Sequence, residues 1–193
     1  MLREEKVSAN VNMVIDSMAE LVEEQSFNEI TIEDVIERAR LSRPTVYKYF
    51  SSKEDILARL GSKILDTLAN NLINHTEWQG SARNKLQHLY RVLAKELRVI
   101  KPVWRALAES GAFYAEPMLK SRRYLDRFII GIIAEGQQKG EVDKAVSALL
   151  LANNLTALQI SICNEWCMGY PRRESLSKRL KLGVDLFFEG IES

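Results

Sequence analysis

The chain has 193 residues, enough for one or two domains with a real core, and 46% hydrophobic against 27% charged residues is the balance of an ordinary soluble protein. Its longest apolar run, from about Ala145 to Ile162, is interrupted by Asn153, Asn154 and Gln159, so no segment reads as a membrane span. The first residues lack the apolar stretch of a signal peptide and two cysteines are too few for a disulfide framework, so a cytoplasmic location is expected.

Helical periodicity runs throughout, with four prolines and no sustained alternation of period two. Val7, Val11, Val14, Ile15, Met18, Leu21 and Val22 predict a first helix ending near Gln25. Thr31, with Asp34 three residues on, predicts a capped short helix whose apolar positions are Ile32, Val35, Ile36 and Ala39. A tight connection, Arg40-Leu41, leads to Ser42 and Pro44, which suit the start of another short helix over Arg43 to Tyr49. Ser42 is a natural cap, but the proline biases Arg43 away from helical backbone, so Arg43 is an alternative cap. Ser51 and Ser52, followed by Glu54 and Asp55, then open a long helix carrying Ile56, Leu57, Leu60, Ile64, Leu65 and Leu68 on one face. Further helices are expected at 81–99, 102–111, 116–139, 143–168 and 173–190, with Pro102, Pro117 and Pro171 at starts and Gly140 and Gly169 at stops.

Net charge is only +1, so the whole-chain balance is silent about nucleic acid. Its distribution is not: residues 38–53 hold Arg38, Arg40, Arg43, Lys48 and Lys53 and no acid, between Glu33, Asp34 and Glu37 on one side and Glu54 and Asp55 on the other. Two short helices joined by a tight turn within such a stretch form the arrangement that lays a recognition helix in the major groove. Val35, Ile36, Leu41, Val46 and Phe50 supply a small core to fix the angle between them.

The segment from Phe27 to Leu57 resembles the DNA-binding domain of TetR-family repressors. The resemblance rests above all on Thr45-Val46-Tyr47-Lys48-Tyr49-Phe50 followed two residues later by Lys53-Glu54-Asp55-Ile56-Leu57, and it covers roughly residues 10–60. It implies an all-α chain of about nine helices. A three-helix helix-turn-helix domain over 1–52 would precede a helical effector-binding and dimerisation domain over 53–193. In that reading Thr31 and Ser42 are helix caps that also come near DNA, and Arg43 and Thr45 lie where base edges are reached. Tyr47, Lys48 and Tyr49 resemble phosphate-gripping positions, and Lys53 resembles the family's phosphate-contacting lysine. There are two departures: Arg40 stands where the family often has glycine, and Pro44 where it often has a small residue. A left-handed Arg would cost about 1 kcal/mol, so another turn geometry is expected at Arg40. Pro44 denies close backbone approach to DNA.

Reading a half-site of a few base pairs needs a second copy. The helix over 143–168 is apolar nearly all round, and Leu176, Leu180, Val184, Phe187, Phe188 and Ile191 stripe the last one. By the resemblance these two helices form a four-helix bundle with their copies, making a homodimer. The middle helices would hold a small apolar or aromatic effector, with Trp78, Trp104, Phe113, Tyr114, Met118 and Trp166 as candidate lining and Asn154 as a candidate polar contact.

No metal or cofactor is expected. Cys163 and Cys167 are four apart on one helix, two thiolates make an incomplete zinc site, and ordinary buried cysteines are the better reading. No phosphate-cradling glycine loop, metalloprotease motif or nucleophile elbow is present, so no enzyme is expected. The expected function is a repressor released from a palindromic operator by a small ligand; the alternative is a helical dimeric interaction protein that has lost DNA binding.

Overall fold

The computed structural model describes residues 2–75, 78–170 and 174–190, and all of its regular structure is helical. The helices are α1 (Leu2–Glu24), α2 (Ile32–Ala39), α3 (Arg43–Tyr47), α4 (Lys53–His75), α5 (Ala82–Val99), α6 (Lys101–Ser110), α7 (Glu116–Gln138), α8 (Ala148–Cys167) and α9 (Leu176–Glu189). A short 3-10 turn, Ala112–Tyr114, separates α6 from α7. Pro171 and Ile191, a predicted helix start and a predicted stripe position, lie outside the described residues.

The chain forms two compact units. One comprises residues 1–65 and 102–121, and the other residues 66–101 and 122–193. The core of the first gathers Val14 and Met18 of α1, Val35 and Ala39 of α2, Val46 of α3, Phe50, Ile56 and Leu57 of α4, and Val103 and Leu107 of α6. Gly61 marks a close approach in this unit: a Cβ there would lie 2.7 Å from Met118 Sδ and 2.8 Å from a Leu107 methyl, so a side chain would wedge α4 away from its neighbours. In the second unit α9 packs against α5 and α8.

Local chemistry sets the helix ends. Thr31 and Asp34 form the predicted capping box: Thr31 N–H donates to Asp34 Oδ2 at 2.7 Å, and Asp34 N–H donates to Thr31 Oγ1 at 3.2 Å. The N–H of Thr31 is also the main cause that lowers the Asp34 carboxyl pKa. Ser42, not Arg43, caps α3, its oxygen accepting from the Thr45 N–H at 3.4 Å. Ser52 caps α4, accepting from the Asp55 N–H. α8 begins at Ala148, five residues later than its apolar pattern predicts, because Ser147 caps it and Asp143 Oδ1 ties the Ala145 N–H into a preceding turn. α3 is also shorter than predicted, ending at Tyr47 as Tyr49 N–H turns back to Val46 O at 2.9 Å.

The expectation for Arg40 is overturned. Its backbone is left-handed, φ 53° and ψ 38°. Arg40 N–H donates to Glu37 O at 3.1 Å and Leu41 N–H to Ile36 O at 3.4 Å, the paired bonds of a Schellman ending. The same pattern closes α7 at Gly140 and α8 at Gly169, both at positive φ. At α2, two satisfied N–H groups and the packing of Leu41 and Ile36 on the core outweigh the strain of a side chain in that slot. Arg40→Gly should therefore raise stability by about 1 kcal/mol, less the extra entropy glycine brings to the unfolded chain, as read by denaturant unfolding. An unchanged or lower midpoint would contradict the strain.

Candidate nucleic-acid interface

α3 presents two faces. Val46 is fully buried and Phe50, just beyond the helix, is 1% exposed, both in the core of the first unit. Pro44, Tyr47 and Lys48 turn to solvent, with Tyr47 48% exposed, and Arg43 projects from the first turn with its side chain 64% exposed. Thr45 and Tyr49 are half-buried. The hydroxyls of Ser42 and Thr45 are 2.8 Å apart and hydrogen-bonded, which fixes both at the start of the helix.

The basic stretch is less free than its composition implies. Arg38 bonds Glu24 through both terminal nitrogens, at 2.8 and 2.6 Å, and reaches Glu20 at 3.2 Å, clasping α2 to α1. These bonds raise the Arg38 pKa and lower that of Glu24. Arg43 meets Glu33 of α2 at 3.1 Å. Lys53 faces inward: its ammonium donates to Phe27 O at 3.0 Å and Ile30 O at 2.7 Å and sits 4.6 Å from the centre of the Phe27 ring. Two of its three donors are thus spent on the turn that leads into α2. Lys48 lies 5.6 Å from the Tyr49 ring centre, a loose contact that leaves its ammonium toward solvent. The Thr31 hydroxyl is occupied with Asp34. Sequence reasoning located the outward row of α3 but missed Glu33, Glu20 and Glu24 as partners, because only the fold brings them to their arginines.

The candidate effector residues fall into both units. In the first, the Trp104 and Phe113 rings meet edge-on at 4.7 Å between centres, Met118 is buried beside Gly61, and Tyr114 is 75% exposed. In the second, Trp78 packs on Phe128 at 4.8 Å and His88 at 5.5 Å and lines a surface cleft of about 340 Å³ with Gln79, Asn84, Lys85 and His88. Trp166 lies under the Lys101 ammonium at 4.7 Å. Asn154 and its neighbour Asn153 face solvent, so neither amide is buried as an apolar helix first implied.

The outer faces of α8 and α9 hold Leu149, Leu150, Leu158, Leu182 and Leu186 in the open, the first, second, fourth and fifth more than half exposed. Gln159, by contrast, is buried and donates to Leu180 O at 3.5 Å. No group of three or more metal-binding side chains occurs among the described residues, nor any helix long and apolar enough to cross a membrane.

Residues 14–60 match the family described as bacterial regulatory proteins, tetR family. The fatty acid metabolism regulator protein of Bacillus subtilis (strain 168) is 20% identical over 160 residues, spanning 81% of this chain and 82% of that protein. Among solved structures, Thermus thermophilus FadR, a TetR-family transcriptional repressor in complex with lauroyl-CoA, superposes with a TM-score of 0.75 at 21% identity, covering 93% of this chain and 94% of that one. FadR from Bacillus subtilis in complex with stearoyl-CoA gives 0.74 at 18%, covering 93% and 98%. SmeT, repressor of a Stenotrophomonas maltophilia multidrug efflux pump, gives 0.71 at 16%, covering 95% and 90%. At such identities the structural likeness establishes the shared all-helical fold. Through its N-terminal domain the chain belongs to the TetR family of transcriptional regulators, DNA-binding factors and not enzymes.

Cys163 and Cys167 are both buried. Burial, then the neighbouring Cys167, pushes the Cys163 thiol up to about 12, far from the range of a reactive thiolate. Iodoacetamide at about pH 8 should leave both cysteines unmodified in the native protein and alkylate both after denaturation, as read by mass spectrometry. Fast native labelling of Cys163 would contradict its burial.

Proposed function

We propose that the protein is a repressor that binds a palindromic operator as a homodimer and lets it go when a long-chain acyl-CoA occupies the effector domain. The observation that carries the DNA half is the outward row of α3, with Arg43, Pro44, Tyr47 and Lys48 exposed over a buried Val46. In this reading α3 enters the major groove. Arg43 offers a guanine its fork of donors, oriented beforehand by Glu33, and the Thr45 methyl suits thymine. Tyr47, Lys48 and Tyr49 grip phosphates, and the Ser42 and Thr31 hydroxyls lie near the backbone. Lys53 acts mainly by holding the turn before α2, with one donor left for a phosphate.

The open leucines of α8 and α9 support self-association. An apolar face of that kind needs a cover, and a second copy supplies one by pairing the two helices into a four-helix bundle. A dimer also supplies the second recognition helix, one helical turn of DNA away at about 34 Å. An acyl-CoA effector is favoured because two of the similar structures are repressors holding lauroyl-CoA and stearoyl-CoA. Helix α4 carries the chain from the first unit into the second, so it is the natural route for the response. The ligand need only favour the non-binding arrangement by a few kcal/mol.

Selection of bound sites from a random duplex pool should enrich an inverted repeat, and lauroyl-CoA should weaken its binding in a mobility-shift titration. Arg43→Ala should flatten the base preference at one position of each half-site. Lys48→Ala should instead weaken all sequences alike and reduce the slope of log affinity against log salt by about 1. No enriched repeat would refute operator recognition; a repeat that lauroyl-CoA leaves bound would refute the effector.

Leu158→Glu combined with Leu186→Glu should convert the dimer to monomer in sedimentation and lower operator affinity more than a hundredfold, since half of the contacts are lost. A dimer that survives both charges would place the interface elsewhere.

A further inference from the structure

The first unit pairs its buried hydroxyls. Ser17 Oγ donates back along α1 to Met13 O at 2.7 Å, and the Ser62 and Ser121 hydroxyls meet at 2.7 Å. In the second unit two hydroxyls break that pattern. Tyr90 of α5 is 4% exposed and Thr156 of α8 is 9% exposed, yet neither Oη nor Oγ1 has a hydrogen-bond partner. Thr156 stands close enough to Tyr90 to influence its hydroxyl, so the two unpaired groups share one place in the core. One helical turn on, the Gln159 side-chain oxygen is unpaired too, although its nitrogen is tied to Leu180 O.

Such groups are costly. A helical threonine can satisfy itself on the carbonyl four residues back, as Ser17 does from the same kind of position. Thr156 forgoes that bond, and a buried polar group left unmade forfeits its hydration with no return. The surroundings are otherwise apolar: Leu86 and Leu93 lie one turn either side of Tyr90, and Leu155 and Cys163 belong to the same buried surface of α8. Burial raises the Tyr90 pKa well above its ordinary value, so the phenol stays protonated and available as a donor.

We infer that the Tyr90 and Thr156 hydroxyls are the polar contact of the effector site, donating hydrogen bonds to the carbonyl oxygen of an acyl chain held in the apolar interior of the second unit. This rests on the acyl-CoA reading and adds to it the residues that recognise the ligand. A carbonyl is an acceptor without a proton, and two hydroxyls without partners are what it requires. The lost hydration is then recovered when ligand is bound, which makes these two groups sense occupancy directly.

The test uses full-length Tyr90→Phe and Thr156→Val, which delete one oxygen each and keep the shape. Thermal unfolding without ligand and titration with lauroyl-CoA are measured for both and for the wild type. The expected result is a melting point unchanged or raised in each variant, with lauroyl-CoA affinity about tenfold lower. A lowered melting point in the ligand-free variants overturns the inference, because the hydroxyls would then be serving the fold. Equal affinity in wild type and variants overturns it alone; a wild type indifferent to lauroyl-CoA overturns it together with the effector class on which it rests.

Discussion

A helix of five residues cannot stand alone, since nucleating it fixes more backbone than its few hydrogen bonds repay. α3 exists because Val46 is driven into the core beside Phe50 and because Ser42 satisfies its first turn. Both anchors act together. With Val46 pinned inward, the helical period puts Pro44, Tyr47 and Lys48 on the far side, and the surface that meets DNA follows from that one burial. Val35 and Ala39 of α2 and Val14 and Met18 of α1 belong to the same core, so the three helices are fixed by a common set of side chains.

Features that depend on neighbours in sequence were legible. The Thr31–Asp34 box, the Ser42 cap and the glycine endings at 140 and 169 are each decided within six residues, and each was readable from residue type alone. Arg40 was misread because the strain of one left-handed residue was weighed without the two hydrogen bonds and the Leu41 packing that come with it. The basic stretch misled for a different reason. Arg38 answers to acids 14 and 18 residues away, and Lys53 to carbonyls 23 and 26 away. A charge count along the chain has no means of telling a clasp from a free cation, so the surface is less positive than its composition.

The second unit was legible in outline only. Periodicity marked α8 as apolar nearly all round, but it could not say which side meets α9 and which side is left open as Leu149, Leu150 and Leu158. Nor does composition separate a hydroxyl that is satisfied from one that is not: Ser17 and Thr156 look alike in sequence and differ only in where their oxygens point. The tryptophans are a similar case, since Trp78 and Trp104 are each matched with ring partners of their own unit.

Pro44 has a further consequence. A proline in the first turn of α3 restricts the unfolded chain as well as the folded one, so this segment gives up little freedom when it orders. Docking onto a duplex then carries almost no additional loss of conformational entropy at the contact itself. A reader so stiff discriminates by fit: a groove of the wrong width is met by rejection, because the rod has no slack with which to accommodate it.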